Sequence, residues 1–310
     1  MADHRAGPPH ADGRLCVFGE HCGRRSGTGR PIDARMPELG RCLTLFQYVQ
    51  AVTGGPVARI DQAGSYAVPS LRGEAFSVLP GSITLRVDGD AVASASVVRD
   101  ERTGSVAVQL FDAAGRIAHQ GLLLSEGDRL LAGLTGPAAG GAVTAAPPPT
   151  APVRPPAWED GDQLAQLDAI LVDGGVARRE AFDRYPGEHR KIDAAVLPSV
   201  LEHVRSAGLP IGVAVFGPAA MQACAGRVHI TDQTVGGQVF AAVADSSVVI
   251  GLPAVRACHL VRSTAAHGPT SAIELDDEDG RCVAVITQFG IVGERVHTDW
   301  ERLAASLPDA

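Results

Sequence analysis

The sequence predicts an α+β protein made of two tandem structural repeats, each an antiparallel β-sheet with helices packed at one side. Three observations predict it. A pattern recurs roughly 163–165 residues apart: Ala91 to Arg99 and Ser105 to Arg116 return as Val255 to Arg262 and Ser271 to Arg281. Each copy reads as strand, loop, strand, turn, with Arg99 matching Arg262 and Gly115-Arg116 matching Gly280-Arg281. A period this long marks a duplicated domain, because solenoid repeats recur every ~20–50 residues. Short apolar runs punctuated by Pro80-Gly81, Asp88-Gly89 and Ala113-Ala114-Gly115 describe an antiparallel meander. A Pro/Ala/Gly stretch over 136–157 separates the copies as an extended, semi-rigid linker.

Taken in order, residues 1–38 carry Gly, Pro, Arg and His with little apolar periodicity and read as a disordered or loosely docked tail. The first repeat, 39–135, opens on Leu43, Leu45, Tyr48, Val49 and Val52, and strands are expected over 75–79, 83–87, 91–98, 106–111 and 117–124. The second repeat, 158–310, begins helical: Leu164, Leu167, Ile170 and Leu171 recur at helical spacing, Asp162 is placed to cap, and Gly174-Gly175 stops the helix. A short helix follows over 178–182. Another starts near Pro198, buries Val200, Leu201 and Val204, and ends at Gly208. Strands are then expected over 211–216, 221–224, 228–230, 239–243, 248–250, 254–262, 272–275 and 282–289, with an amphipathic helix over 300–307.

The chain has 310 residues, enough for about two domains. Its net charge of -8, with no basic cluster outside the tail, argues against a nucleic-acid partner. No apolar run is long enough for a membrane span and the N-terminus lacks the apolar core of a signal peptide, so a cytoplasmic location is expected. Only Lys191 among the 27 basic residues is a lysine; the guanidinium groups that remain suit carboxylates and phosphates. The six cysteines form no Cys-x-x-Cys pair, and even Cys16 and Cys22, with His21 between them, miss zinc spacing. They read as small buried apolar residues. The acidic turn Asp276-Asp277-Glu278-Asp279-Gly280 lacks the alternating ligands of a calcium loop. No nucleophile elbow, phosphate-binding loop or zinc-protease motif occurs.

Trp158, Ala181-Phe182, Pro198 to Ala207, Phe216-Gly217-Pro218-Ala219-Ala220-Met221-Gln222, Ser271 to Leu275 and Trp300 to Pro308 follow one another in a familiar order. With Val108 to Gly115 and His119 in the first half, they make the chain resemble the haemin-degrading and haem-trafficking proteins of the HemS, ChuS and ChuX group. The resemblance runs from about residue 40 to 307. It implies tandem repeats of antiparallel sheet, haem as ligand or substrate in the cleft between the halves, and intracellular haem trafficking or assisted haem degradation in iron acquisition. A haem importer or a haem oxygenase would be the partner. The resemblance places Ala165 where the family has its axial histidine. It also places Phe289-Gly290-Ile291-Val292 on a Tyr-Gly-x-Arg segment, and Val248-Val249-Ile250-Gly251 on Asn-Leu-His-Leu.

Iron wants a histidine or similar ligand, propionates want arginine, and the macrocycle wants apolar walls. The remaining candidates are therefore His259 or His119 as axial ligand, Arg99, Arg102 and Arg262 for the propionates, and Phe289 against the ring; His189 and His203 lie near the helical segment. Each has a plain reading beside it, a satisfied core histidine or a surface arginine. Three functions stay open: a haem carrier, favoured over a degrading enzyme by Ala165; a non-haem binding or regulatory module that kept the fold after losing the ligand; and a binder of a metal-free porphyrin or another flat apolar molecule, which needs the cleft but no axial ligand.

Overall fold

The computed structural model describes residues 27–36, 38–100, 104–134, 162–179, 189–265, 268–290 and 292–310. Its first half contains β1 (Gly27–Ile32), α1 (Glu38–Thr44), β2 (Val49–Gly54), β3 (Ala58–Tyr66), β4 (Ser70–Leu71) and β5 (Ser82–Val87). It continues through β6 (Val92–Asp100), β7 (Val106–Asp112), β8 (Ile117–Leu123) and α2 (Glu126–Leu134). The second half contains α3 (Gln163–Asp173), α4 (Val176–Arg179), β9 (His189–Ile192), α5 (Leu197–Ala207), β10 (Pro210–Phe216), β11 (Ala220–Gln233) and β12 (Gln238–Val243). It ends with β13 (Ser246–Gly251), β14 (Ala257–Ala265), β15 (Gly268–Asp276), β16 (Cys282–Thr287) and α6 (Glu294–Ser306). The class is α+β, as expected.

The duplication is visible down to the turn. Gly115 and Gly280 both take left-handed backbone, φ 76° and 72°, which suits a residue without Cβ. Their N–H groups donate to Asp112 O and Asp277 O, both at 3.0 Å. The same aspartates accept from the N–H of Arg116 and Arg281 through Oδ1, at 2.8 and 2.9 Å. Helix α3 begins where its capping residue sits, with Asp162 Oδ1 accepting from Leu164 N, and stops at Gly174 in left-handed conformation.

Several elements differ from expectation. Residues 27–36 of the expected tail are placed, and β1 pairs antiparallel with β6; the polar pairing edge of β6 recruits a segment with no apolar signal of its own. The earlier tail and the linker 136–157 lie outside the described residues. Residues 75–79 form no strand; Phe76 and Val78 instead pack their side chains against the core beneath α3. The two short strands expected over 221–230 are one long strand, β11, whose partner changes partway. Helix α6 starts a turn and a half before Trp300.

Each sheet holds strands from both halves. One runs β1-β6-β7-β8-β2-β3 and continues into β13, β12 and the later part of β11, while the other runs β9-β14-β15-β16-β10-β11 and continues into β5 and β4, so that β11 belongs to both and makes the strands one continuous ladder. The joins are reciprocal: β3 pairs with β13 from Ala58↔Ile250 to Gln62↔Ser246, and β11 pairs with β5 from Ala220↔Val87 to Ala223↔Thr84. Edge strands left open carry unpaired N–H and C=O groups, and the exchange closes one such edge on each sheet.

The halves are also pinned by charge. Arg86 on β5 is fully buried; its Nε and Nη2 donate to Asp168 Oδ1 and Oδ2 on α3 at 2.6 and 2.9 Å. Arg86 further donates to Ser70 Oγ and Glu74 O, Asp168 accepts from Gly73 N, and the Phe76 ring lies 5.7 Å from the guanidinium. A buried charge without its partner is costly. Asp168→Asn is therefore expected to destabilise by about 3–5 kcal/mol in urea unfolding, whereas Arg86→Met combined with Asp168→Leu loses much less; equal losses in the two would show that charge is not what matters there.

Candidate binding site

The resemblance points first to α3. Ala165 is half-buried on it, and its neighbours are committed to structure: Leu167, Ile170 and Leu171 enter the core, and Gln163 Nε2 donates to Gln288 O. Gln166 Nε2 donates to Glu274 Oε1 in a fully buried contact. Phe289 packs its ring against Gly212, where a Cβ would collide with it, and meets Phe76 edge-to-face with centroids 6.1 Å apart. The ring that stands in for the family's tyrosine is thus turned into apolar packing, and Arg86–Asp168 closes the same region from the first half.

His119 is 1% exposed on β8. Its Nδ1 lies 2.7 Å from Thr53 Oγ1 and its Nε2 2.7 Å from Tyr66 Oη. Thr53 donates its hydroxyl proton to Gln222 Oε1 at 3.0 Å, so the consistent arrangement has His119 Nδ1–H donating to Thr53 and Tyr66 O–H donating to Nε2. Burial pushes the His119 imidazole down to about 3 and the Tyr66 phenol up. Both nitrogens are spent in this neutral network, which rules His119 out as an iron ligand in this arrangement and makes it a link from β8 through β2 to β11.

The other expected residues scatter. His259 Nε2 stands 3.2 Å from Asp276 Oδ2, and Asp276 also takes Arg179 at 2.7 Å; burial pushes the Asp276 carboxyl up against these partners. His259 therefore belongs to an ion-paired cluster under α4. Arg99 is exposed on β6, in register with Thr28 of β1, and Arg102 lies outside the described residues. Cys224 and Cys258 are buried thiols pushed up to about 12, unsuited to nucleophilic work. Arg262 lines a sizeable depression, and so does His189.

That depression is a groove of about 700 Å³ between α6 and the strands β9 and β14. Leu260, Val261 and Ala305 give it apolar surface, Arg190, Arg262, Glu301 and Arg302 give it charge, and His189 and His297 add two imidazoles. Glu301 is anchored, accepting from Ser271 N and Ser271 Oγ at 2.7 and 2.8 Å. Arg262 is held loosely, 3.8 Å from Glu301 with half its side chain exposed. A second cavity of about 160 Å³, between the turns bearing Gly54, Arg116, Phe216 and Asp277, is too small for a macrocycle. Among the described residues no three His, Cys, Asp or Glu side chains gather as a metal-ion site.

His297 was not foreseen, because the last helix was expected to start at Trp300. The signal existed: His297, Glu301 and Ala305 recur at i, i+4, one stripe of one helix. No local pattern ties that stripe to His189 and Arg190 more than 100 residues earlier.

The sequence matches no family model and no curated protein. Solved structures do match. Apo-PhuS, a haem-binding protein from Pseudomonas aeruginosa, aligns with TM-score 0.67 at 20% identity, over 91% of this chain and 87% of that one. ChuS, an E. coli haem oxygenase, aligns with TM-score 0.71 at 18% identity, over 90% and 88%. The chain has the fold of these proteins, as the resemblance implied.

Because the unfolded chain protonates His119 near its ordinary pKa and the folded chain only near 3, stability is full above about pH 6.5 and falls as pH drops from there towards 3. The contribution to the slope is about 1.4 kcal/mol per pH unit. His119→Gln should flatten that loss in urea midpoints measured from pH 7 to 4.5, whatever its effect at pH 7.

Proposed function

We propose that this protein binds haem and carries it, in the setting of iron acquisition, rather than breaking it down. The observation that supports the reading is the shared fold across nine-tenths of the chain with a haem-binding protein and a haem oxygenase. A groove combining apolar wall, imidazole and guanidinium suits an amphipathic macrocycle with two carboxylates. Carriage is favoured over turnover because Ala165 supplies no ligand at the family's position and the region around it is packed. Breakdown would need an iron with an open position, an external reductant and a shielded distal side. On this reading the protein works in the cytoplasm, between a haem importer and a haem-consuming enzyme. Among the described residues no helix is long and apolar enough to cross a membrane.

A second reading, a non-haem module on the same fold, draws on one feature: Phe76, Phe289 and the Arg86–Asp168 pair fill the neighbourhood of α3. Titrating haemin into the purified protein separates the two. A saturable, sharpened Soret band is expected; absorption like that of free haemin at every ratio would leave the second reading standing.

A further inference from the structure

The geometry points to a second binding site, separate from the groove and independent of the haem reading: a place for a small tetrahedral oxyanion of the phosphate type, held between Arg116 and Arg281 where equivalent turns of the two halves meet. The cavity of about 160 Å³ there is lined by turns that correspond in pairs. In the β2–β3 turn Gly55 N donates to Ala58 O at 2.8 Å, and in the β10–β11 turn Gly217 N donates to Ala220 O at 2.7 Å. Each glycine is followed by a proline, Pro56 or Pro218, and Ala58 and Ala220 each begin a strand pairing that joins the halves. Arg116 and Arg281 complete the set, one after each of the left-handed glycines Gly115 and Gly280. Duplication with exchange of strands thus brings one arginine from each half to the same small space.

The two arginines are engaged differently. Arg116 folds back on its own turn, with Nε donating to Asp112 Oδ2 at 2.7 Å. In the other half the equivalent carboxylate, Asp277, accepts through Oδ1 from the N–H groups of Asp279 and Arg281 at 3.0 and 2.9 Å. Among the described residues no carboxylate stands within ion-pair range of the Arg281 guanidinium. Its stem is fixed all the same: a Cβ on Gly174 would stand 2.6 Å from Arg281 Cβ, so the side chain lies against the glycine that ends α3. A partly buried guanidinium held in place without a counter-charge is stabilised when an anion fills the space beside it. Two forks arriving from separate turns can each take a pair of oxygens from a tetrahedral ion, whereas a carboxylate has two oxygens in one plane and satisfies one fork. The space lies below the about 300–1,000 Å³ of drug-sized ligand sites, which restricts the occupant to a small ion. Asp277 opposes it, as the one carboxylate among the described lining residues, and its backbone N–H partners offset part of that repulsion. Glu278 and Asp279 of the same turn are exposed, where solvent and salt screen them.

The test is calorimetric titration of inorganic phosphate into the purified protein in a phosphate-free buffer, with chloride holding the ionic strength constant, and parallel titrations of sulfate and acetate. Wild type is compared with Arg281→Gln, Arg281→Lys, Arg116→Gln and Asp277→Asn, and with Arg205→Gln on the exposed face of α5 as a control. Far-ultraviolet circular dichroism checks that each is folded. Saturable binding of phosphate and sulfate is expected, with acetate at least about tenfold weaker. Arg281→Gln loses at least about tenfold in phosphate affinity, Arg281→Lys and Arg116→Gln lose less, Asp277→Asn gains affinity, and Arg205→Gln changes nothing. A wild type with no saturable phosphate or sulfate signal overturns the site, and so does an affinity that Arg281→Gln leaves unchanged. Neither result bears on the haemin titration, so the two readings fail separately.

Discussion

The reciprocal exchange of strands is the constraint on which the rest of the structure depends. β3 and β11 each carry a strand of their own half along one side and a strand of the other half along the other: β3 pairs with β2 and β13, and β11 with β10 and β5. Neither sheet reaches full width without the other repeat, so pulling the halves apart would expose two hydrogen-bonding edges at once. The cleft between the halves is therefore part of the folding core. Thr53, His119 and Gln222 run across it as a buried polar chain, and such a chain rewards one exact docking because a shift would leave its members unsatisfied.

That rigidity bears on function. The region around α3 is tied down by a buried ion pair, by two aromatic rings set edge-to-face and by glutamines bonded to β15 and to the end of β16. Each contact takes up a donor or a surface that a ligand would otherwise use. The far side of the second sheet differs: α6 covers it through Trp300, whose indole N–H donates to Ser271 O, and leaves a charged groove along the helix. Fold and ligand chemistry are separable here, as fold similarity alone allows.

Much was legible locally. The turn glycines Gly115 and Gly280, the cap at Asp162 and the helix stop at Gly174 depend on neighbours a few residues away, and the structure shows them as the sequence predicts. The α+β class and the duplication were legible for the same reason, since strand periodicity and turn residues repeat in both copies. The segment at 75–79 misled because an apolar run reads alike whether its backbone pairs in a sheet or only its side chains pack. Residues 27–32 misled in the opposite sense, taking strand conformation from the edge of β6 and not from their own composition.

By itself, the sequence determined most of the elements, their class and their twofold repetition, along with the absence of a histidine at residue 165. Only the tertiary structure decided which half completes which sheet, that Arg86 is fully buried against Asp168, that His119 has both nitrogens occupied, and that His297 shares a groove with Arg190 and Arg262. The reason is physical: turns, caps and periodicity are set within a few residues, whereas edge pairing and side-chain convergence depend on partners a hundred or more residues away, which leave no trace in local pattern.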